Sequence, residues 1–358
     1  MILDVLTKVV HLTHSKDLRT GGVIEAVLRL NDCLQEEGIE SSVTDDPRGI
    51  APSVTQVICH GLWQWPGVVA RKNYLARGTP YFLFPHGMLD PWFKRTYPIK
   101  HFKKQTYWWW RQGRILQDAK AVCFTTEEER RLAQKTFRPY KANEVVTGLG
   151  VSDPPGKDEK QRKEFFEKFP KLKDRKRLLY LGRMHPKKGL DLLIRSFLTN
   201  YFEGETLVLV GPLDEPDRYL TKLLDETKGM DEKIVWTGML SGDLKWGALR
   251  SADALVLPSH QENYGMVVAE SLSVGTPVFL TDKVNLWREV TEAGAGVVAE
   301  DDESGIDRLL KDWRTNQHAG MREACITCFE EKLHMRNCAK RLIQLLNDSN
   351  ERVGLKGG

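Results

Sequence analysis

The chain has 358 residues, 41% of them hydrophobic, which is long enough for two domains with substantial cores. A formal net charge of +4 is too weak to predict a nucleic-acid partner. No run approaches 18 uninterrupted apolar residues, which excludes a membrane-spanning helix, and Met1 to Val10, interrupted by Asp4 and Lys8, carries no signal-peptide pattern, so a cytoplasmic protein is expected.

Strand and helix patterns alternate from the start. Lys8 to His14 predicts a first parallel strand, then Gly21-Gly22 and an amphipathic helix from Val23 to about Glu37. Glycines at a strand-to-helix turn let backbone approach a phosphate, although they are also common there for steric reasons. Val57 to His60 reads as a strand, Val68 to Ala76 as a helix and Tyr81 to Phe84 as a strand that runs into Pro85-His86-Gly87-Met88. Ligands bind beyond the carboxyl ends of strands in an open parallel sheet, and His86 falls there. A histidine that merely satisfies loop backbone is the alternative. From Phe93 to Gln117 there are seven Lys/Arg, no acid and the run Tyr107-Trp108-Trp109-Trp110. A helix with basic and aromatic faces suits a membrane surface or a lipid-linked acceptor; tryptophans in the core with solvated charges fit equally. Ala121 to Thr125 (strand), Glu127 to Thr136 (helix) and Asn143 to Val151 (strand) close the first domain.

Ser152-Asp153-Pro154-Pro155-Gly156 breaks regular structure, which places a boundary at 153/154. Residues 157–177 hold ten Lys/Arg and five Asp/Glu, and the interleaved acids predict a solvated helix over Gln161 to Phe169. Arg177 to Gly182 is a buried strand followed by Arg183-Met184-His185-Pro186-Lys187-Lys188-Gly189 and a helix from Leu190. Arg183 offers a planar fork to two phosphate oxygens and Lys188 a compact charge, so fixed cations could neutralise a leaving diphosphate. There is no Asp-x-Asp pair for a nucleotide-bound metal, and no metal or other cofactor is expected. Thr206 to Gly211, followed by Pro212, and Lys233 to Gly238, followed by Met239-Leu240, are strands ending in glycine, where a flat base or ribose can approach backbone. Leu255 to Pro258 and Pro277 to Thr281 are buried strands around a turn and a helix opening near Gly265. Glu262 and Glu270 bracket this turn and helix, and each carboxylate can hold a pair of sugar hydroxyls. The N–H groups of Asn263, Tyr264, Gly265 and Met266, at the positive end of the helix dipole, suit a phosphate or polyhydroxy ligand. A helix near Leu286, a strand from Ala295 to Ala299 and helices from Asp302 onward complete the chain. The six cysteines form no dense framework, and Cys325-Ile-Thr-Cys328, on a helical pattern with no second C-x2-C, predicts neither metal nor redox chemistry.

The combination of Pro258-Ser259, Glu262-Asn263-Tyr264-Gly265, Glu270 and Gly275-Thr276-Pro277 resembles the E-x7-E signature of the family-4 glycosyltransferases, nucleotide-sugar enzymes of the GT-B fold. The resemblance implies an α/β protein of two doubly wound Rossmann-like domains facing a cleft: residues 1–153 on the acceptor side and 154–337 binding the nucleotide-sugar, with a C-terminal helix of about 338–358 packing back on the first. It implies retaining, metal-independent transfer of a hexose or uronic acid from an NDP-sugar, UDP-glucose foremost, to an acceptor hydroxyl in polysaccharide or glycolipid synthesis. By resemblance Arg183 and Lys188 clamp the diphosphate, Glu262 holds the transferred sugar with the N–H groups of 263–266, and Glu270 holds the ribose. Gly21 and Gly22 face the diphosphate, Gly211, Pro212, Met239 and Leu240 line the nucleoside pocket, and His86 is the acceptor-side histidine. The family's Asn-Gly-Val turn is replaced by Thr147-Gly148-Leu149-Gly150-Val151. The implied partners are the donor and a saccharide or lipid-linked acceptor, with peripheral contact on the inner membrane face through 93–117 and no nucleic acid. An epimerase or phosphorylase on the same frame, or a non-catalytic sugar-nucleotide binder, are the rival readings.

Overall fold

A computed structural model describes residues 7–17, 22–315 and 320–354. The chain separates into two compact units, one of 1–152 with 333–358 and the other of 153–332.

The first unit is built on six parallel strands: β1 (Lys8–Leu12), β2 (Glu40–Thr44), β3 (Gln56–His60), β4 (Tyr81–Phe84), β5 (Ala121–Phe124) and β6 (Glu144–Val146), in the order β2-β1-β3-β4-β5-β6. Strand side chains alternate between faces, so a sheet covered on both sides needs near-continuous apolar runs. That is what these strands provide. Val10, Val57, Tyr81, Leu83 and Val122 enter one core, while Val9, Ile58, Phe82, Phe84 and Cys123 enter the other. The helix Met335–Gly354 lays Met335, Ala339, Leu342 and Leu346 on the second face. Fully burying each large apolar side chain contributes about 1.5–3 kcal/mol, which is enough to fix this helix to the sheet.

Three expectations for this unit change. β2 lies over residues that show no apolar run, because an edge strand bonded only to β1 needs none. The expected strand over 143–151 stops at Val146, and the Thr147–Val151 turn is held by the C-terminal segment instead. Arg341 Nε donates to Thr147 O at 2.8 Å, and Met335 N donates to Val151 O at 3.0 Å. The single helix expected over 93–117 is broken into Pro91–Thr96, Pro98–Tyr107, a π-helical turn Trp108–Gln112 and Gly113–Asp118. The wide turn sends Trp108 into the core, stacked on Phe137 at 4.8 Å, while Trp109 and Trp110 stay exposed. Burial in the core therefore holds for Trp108 alone of the three tryptophans.

The second unit carries β7 (Lys176–Leu181), β8 (Glu205–Val210), β9 (Ile234–Gly238), β10 (Ala254–Leu257), β11 (Val278–Thr281) and β12 (Gly296–Ala299), all parallel, in the order β12-β11-β10-β7-β8-β9. This is the doubly wound arrangement in which the chain reverses direction across the sheet between β7 and β10. Ligands bind outside the carboxyl ends of strands at such a switch point. Both units are Rossmann-like. All six cysteines are buried free thiols. Cys325 and Cys328 sit on the helix Arg322–Cys328, and burial pushes their thiols up to about 12 and about 11, which keeps them unreactive.

Candidate active site

β10 is buried along its whole length and delivers Pro258 and Ser259 to the switch point. The turn that follows is stitched to the segment after β11. Glu262 N donates to Lys283 O at 2.9 Å, Asn285 N donates to Glu262 O at 3.0 Å, and Thr281 Oγ1 donates to Ser259 O at 2.5 Å. Glu262 thus has a fixed backbone before its carboxylate meets anything. Gly265, left-handed at φ 72°, opens the helix Met266–Ser273, which buries Glu270 in its second turn.

The turn after β7 comes to the same place. Pro186–Lys188 form one 3-10 turn that ends at Gly189, whose φ is 65°. A Cβ on Gly189 would lie 2.1 Å from Pro258 O, and His260 N donates to Lys187 O at 2.9 Å. Only glycine accommodates both that conformation and that approach. The resulting backbone contact carries Lys188 Nζ onto Glu262 Oε2 as a partly buried ion pair. Arg183, two residues beyond β7, is exposed at this end of the sheet, and its carbonyl accepts the Tyr180 hydroxyl at 2.8 Å. Burial, then the Glu262 carboxylate, pushes the Tyr180 hydroxyl well above its ordinary range, so it stays a donor to Arg183. Burial, followed by the nearby charges of Arg183 and Lys187, holds His185 below the usual imidazole range.

Gly211 at the end of β8 lies against β7: a Cβ there would stand 2.1 Å from Gly182 O. Gly211 N also donates to Gly238 O at 3.2 Å. Gly182, Gly211 and Gly238, at the ends of β7, β8 and β9, therefore form one backbone ledge, beyond which Pro212, exposed Met239 and buried Leu240 follow. Asn263 Oδ1 accepts from Asn285 Nδ2 at 3.3 Å, and Tyr264 is buried. Glu270 is paired with Lys245 Nζ at 2.6 Å. Each carboxylate of the E-x7-E pair thus rests on a lysine. Cations beside two acids can grip an anionic, hydroxyl-rich ligand once the lysines exchange partners.

In the first unit, Gly22 opens the helix Gly22–Glu36, and Gly21 lies outside the described residues. His86 follows β4 in a left-handed conformation, φ 50°, and Gly87 continues it at φ 77°. Glu129 holds this bend: its Oε1 accepts from Gly87 N at 2.6 Å, and its Oε2 accepts from Thr125 N and Thr125 Oγ1 at 2.8 and 2.6 Å. Among the described residues, no group of three or more His, Cys, Asp or Glu is arranged to hold a metal ion.

The glycosyl transferases group 1 family pattern matches residues 161–327, and a glycosyl transferase 4-like domain pattern matches residues 48–150, so the two together cover most of the chain. The chain belongs to the family-4-like glycosyltransferases. Among similar curated proteins, an uncharacterized glycosyltransferase of Methanocaldococcus jannaschii is 31% identical over 192 residues, 51% of this chain and 47% of that one. A phosphatidyl-myo-inositol mannosyltransferase of Mycobacterium leprae is 32% identical over 149 residues, 40% of this chain and 38% of that one. The alignments span about half or less of those relatives' own length. This glycosyltransferase also shares its fold with a solved sucrose-phosphate synthase from Thermosynechococcus elongatus, at a TM-score of 0.77 and 14% identity over 97% of this chain and 100% of that one. Anabaena HepE in complex with UDP gives a TM-score of 0.74 and 16% identity over 96% of this chain and 100% of that one. The fold is GT-B.

Sequence reading missed Lys245, Tyr180 and Glu129 in this glycosyltransferase. Glu129 had a visible signal: Thr126-x-x-Glu129 is a capping-box pattern, and Thr126 Oγ1 does accept from Glu129 N at 3.0 Å. The Glu129 carboxylate, however, turns away to the His86 bend. Lys245 and Tyr180 carry no local pattern, because what they touch is set by tertiary packing.

Proposed function

We propose that this glycosyltransferase moves a hexose or uronic acid from a nucleoside diphosphate, foremost UDP-glucose, to an acceptor hydroxyl with retention of anomeric configuration and without a metal. The observation that carries this reading is the Lys188–Glu262 pair at the switch point of a Rossmann-like sheet, with Arg183 at the same strand end. Breaking the bond to the donor sugar leaves negative charge on the diphosphate. Arg183 and Lys188 stabilise it there, where charge grows most. Glu262, released from Lys188 onto the donor, holds hydroxyls of the transferred sugar with the N–H groups of 263–266. Glu270 likewise exchanges Lys245 for the ribose hydroxyls. Gly22, the ledge at Gly211 and the segments Pro212 and Met239-Leu240 receive phosphate, ribose and base. His86 orients or polarises the reacting groups, and a phosphate oxygen takes the acceptor proton as attack comes from the face that the diphosphate leaves. That UDP is the nucleotide is supported by HepE, which was solved with it.

Product analysis with UDP-, GDP- and ADP-sugars tests the reading. The expected result is a glycosylated acceptor of unchanged anomeric configuration, formed with EDTA present and lost in Glu262→Ala. Conversion of the donor with no acceptor would mark an epimerase, a requirement for inorganic phosphate a phosphorylase, and binding without turnover a sugar-nucleotide binder.

A second observation supports a surface-bound acceptor in polysaccharide or glycolipid synthesis. Ile99, Phe102 and Trp110 are 76, 67 and 66% exposed within a segment that carries seven cations and no acid. Among the described residues no helix is long and apolar enough to cross a membrane. Contact with an anionic membrane face is accordingly proposed as peripheral.

A further inference from the structure

Three histidines far apart in sequence lie ring to ring at the carboxyl ends of β1, β3 and β4. His11 Nδ1 and His60 Nε2 are 2.9 Å apart, and so are His60 Nδ1 and His86 Nε2. Ring centroids are 5.2 Å apart in both pairs, with interplanar angles of 6° and 28°. A separation of 2.9 Å is a hydrogen bond; a tetrahedral metal ion bound to both rings would hold the two imidazole nitrogens about 3.3 Å apart. His11 and His60 are buried and His86 is half-buried. Burial lowers His11 to about 3 and His86 to about 4. It drives His60 well below the usual range, with the two neighbouring rings adding to the effect. Burial thus favours the neutral form of all three rings.

A neutral imidazole has one N–H and one lone pair, so a row of three can run in only two senses. With the proton on Nδ1 throughout, His11 donates to His60, His60 donates to His86, and His86 keeps Nδ1–H for a ligand. With the proton on Nε2 throughout, the row runs backwards and ends on a His11 Nε2–H. That atom is buried and has no hydrogen-bond partner among the described residues. A buried N–H without an acceptor is rarer and more costly than a buried lone pair.

We propose that His11 and His60 are positioning residues for His86: the row holds the proton on Nδ1 in all three rings, so His86 meets its ligand with an N–H donor and no lone pair. Its consequence for catalysis rests on the glycosyl-transfer reading above. His86 then donates to a sugar or acceptor oxygen and cannot serve as the base, which leaves the acceptor proton to the departing phosphate.

Long-range 1H–15N correlation spectra of the full chain, labelled at its nine histidines and assigned by the signal lost in each single variant, read the tautomers directly. Protonated Nδ1 and bare Nε2 on all three rings at pH 7 is the expected result. A protonated Nε2 or an imidazolium at any of the three overturns the proposal. Two variants test the positioning role. His60→Leu removes the group facing His86 and should lower kcat about tenfold or more with donor KM unchanged. His60→Asn puts an amide donor where Nδ1 stood and should restore kcat to within about threefold of wild type. Equal loss in both variants contradicts positioning through a hydrogen bond. Were the wild-type chain to turn over no nucleotide-sugar, the functional reading would fail while the spectra still decided the row.

Discussion

Lys188 and Glu262 are 74 residues apart in sequence and meet as one ion pair. Each was legible because its neighbours carry local meaning: Lys188 stands before a glycine that ends a turn, and Glu262 stands between a buried strand and a helix start. The partner of Glu270 was not legible, since Lys245 looks like any solvated lysine on an amphipathic helix until packing brings it to 2.6 Å. The same holds for His11 and His60, which read as ordinary members of apolar strands. A further residue-scale contact reports on pH. His260 Nδ1 lies 2.6 Å from Asp301 Oδ1, and that hydrogen bond, against a smaller burial penalty, raises the imidazole above its ordinary range. A raised pKa means that the folded state binds the proton more tightly. The pair's contribution is therefore complete below about pH 6.5 and is lost as pH rises through the folded-state value. Because both groups are partly exposed, Asp301→Asn should cost about 1 kcal/mol at pH 6 and distinctly less at pH 9. Denaturation curves at the two pH values check this; a larger cost at pH 9 would contradict it.

At the scale of elements, parallel strands buried on both faces announce themselves as continuous apolar runs, and eleven of the twelve strands among the described residues fall within or overlap runs expected from sequence. β2 lacked that signal because edge position removes the need for it. The π-helical turn at Trp108–Gln112 was also illegible, since the same residues satisfy an unbroken helical period. The element that assembles the site is the contact between the turns after β7 and β10. It depends on Gly189, where an added methyl would meet a backbone carbonyl that cannot swing aside. Gly189→Ala should destabilise the chain by about 2–4 kcal/mol and lower turnover by separating Lys188 from Glu262. Chemical denaturation within about 0.5 kcal/mol of wild type, with full activity, would show that the turn carries no such constraint.

For the whole molecule, two blocks of alternating strands and helices were enough to anticipate two Rossmann-like units. The segment 91–118 brings exposed aromatics and cations together, and this composition should appear as salt-sensitive binding to anionic vesicles. Trp110→Ser with Lys103→Ser should weaken co-sedimentation about fivefold, since each lysine near such a surface contributes about 1 kcal/mol. Equal binding to neutral vesicles would remove the electrostatic account.

We propose that fixed cations, rather than a metal, stabilise the diphosphate as it leaves. Steady-state donor turnover in excess EDTA, compared among wild type, Arg183→Ala and Lys188→Ala, tests it most directly. The expected result is an undiminished wild-type rate and kcat lowered about a hundredfold or more in each variant, with donor KM little changed. Turnover abolished by EDTA and restored by manganese, or variants that differ only in KM, would contradict it.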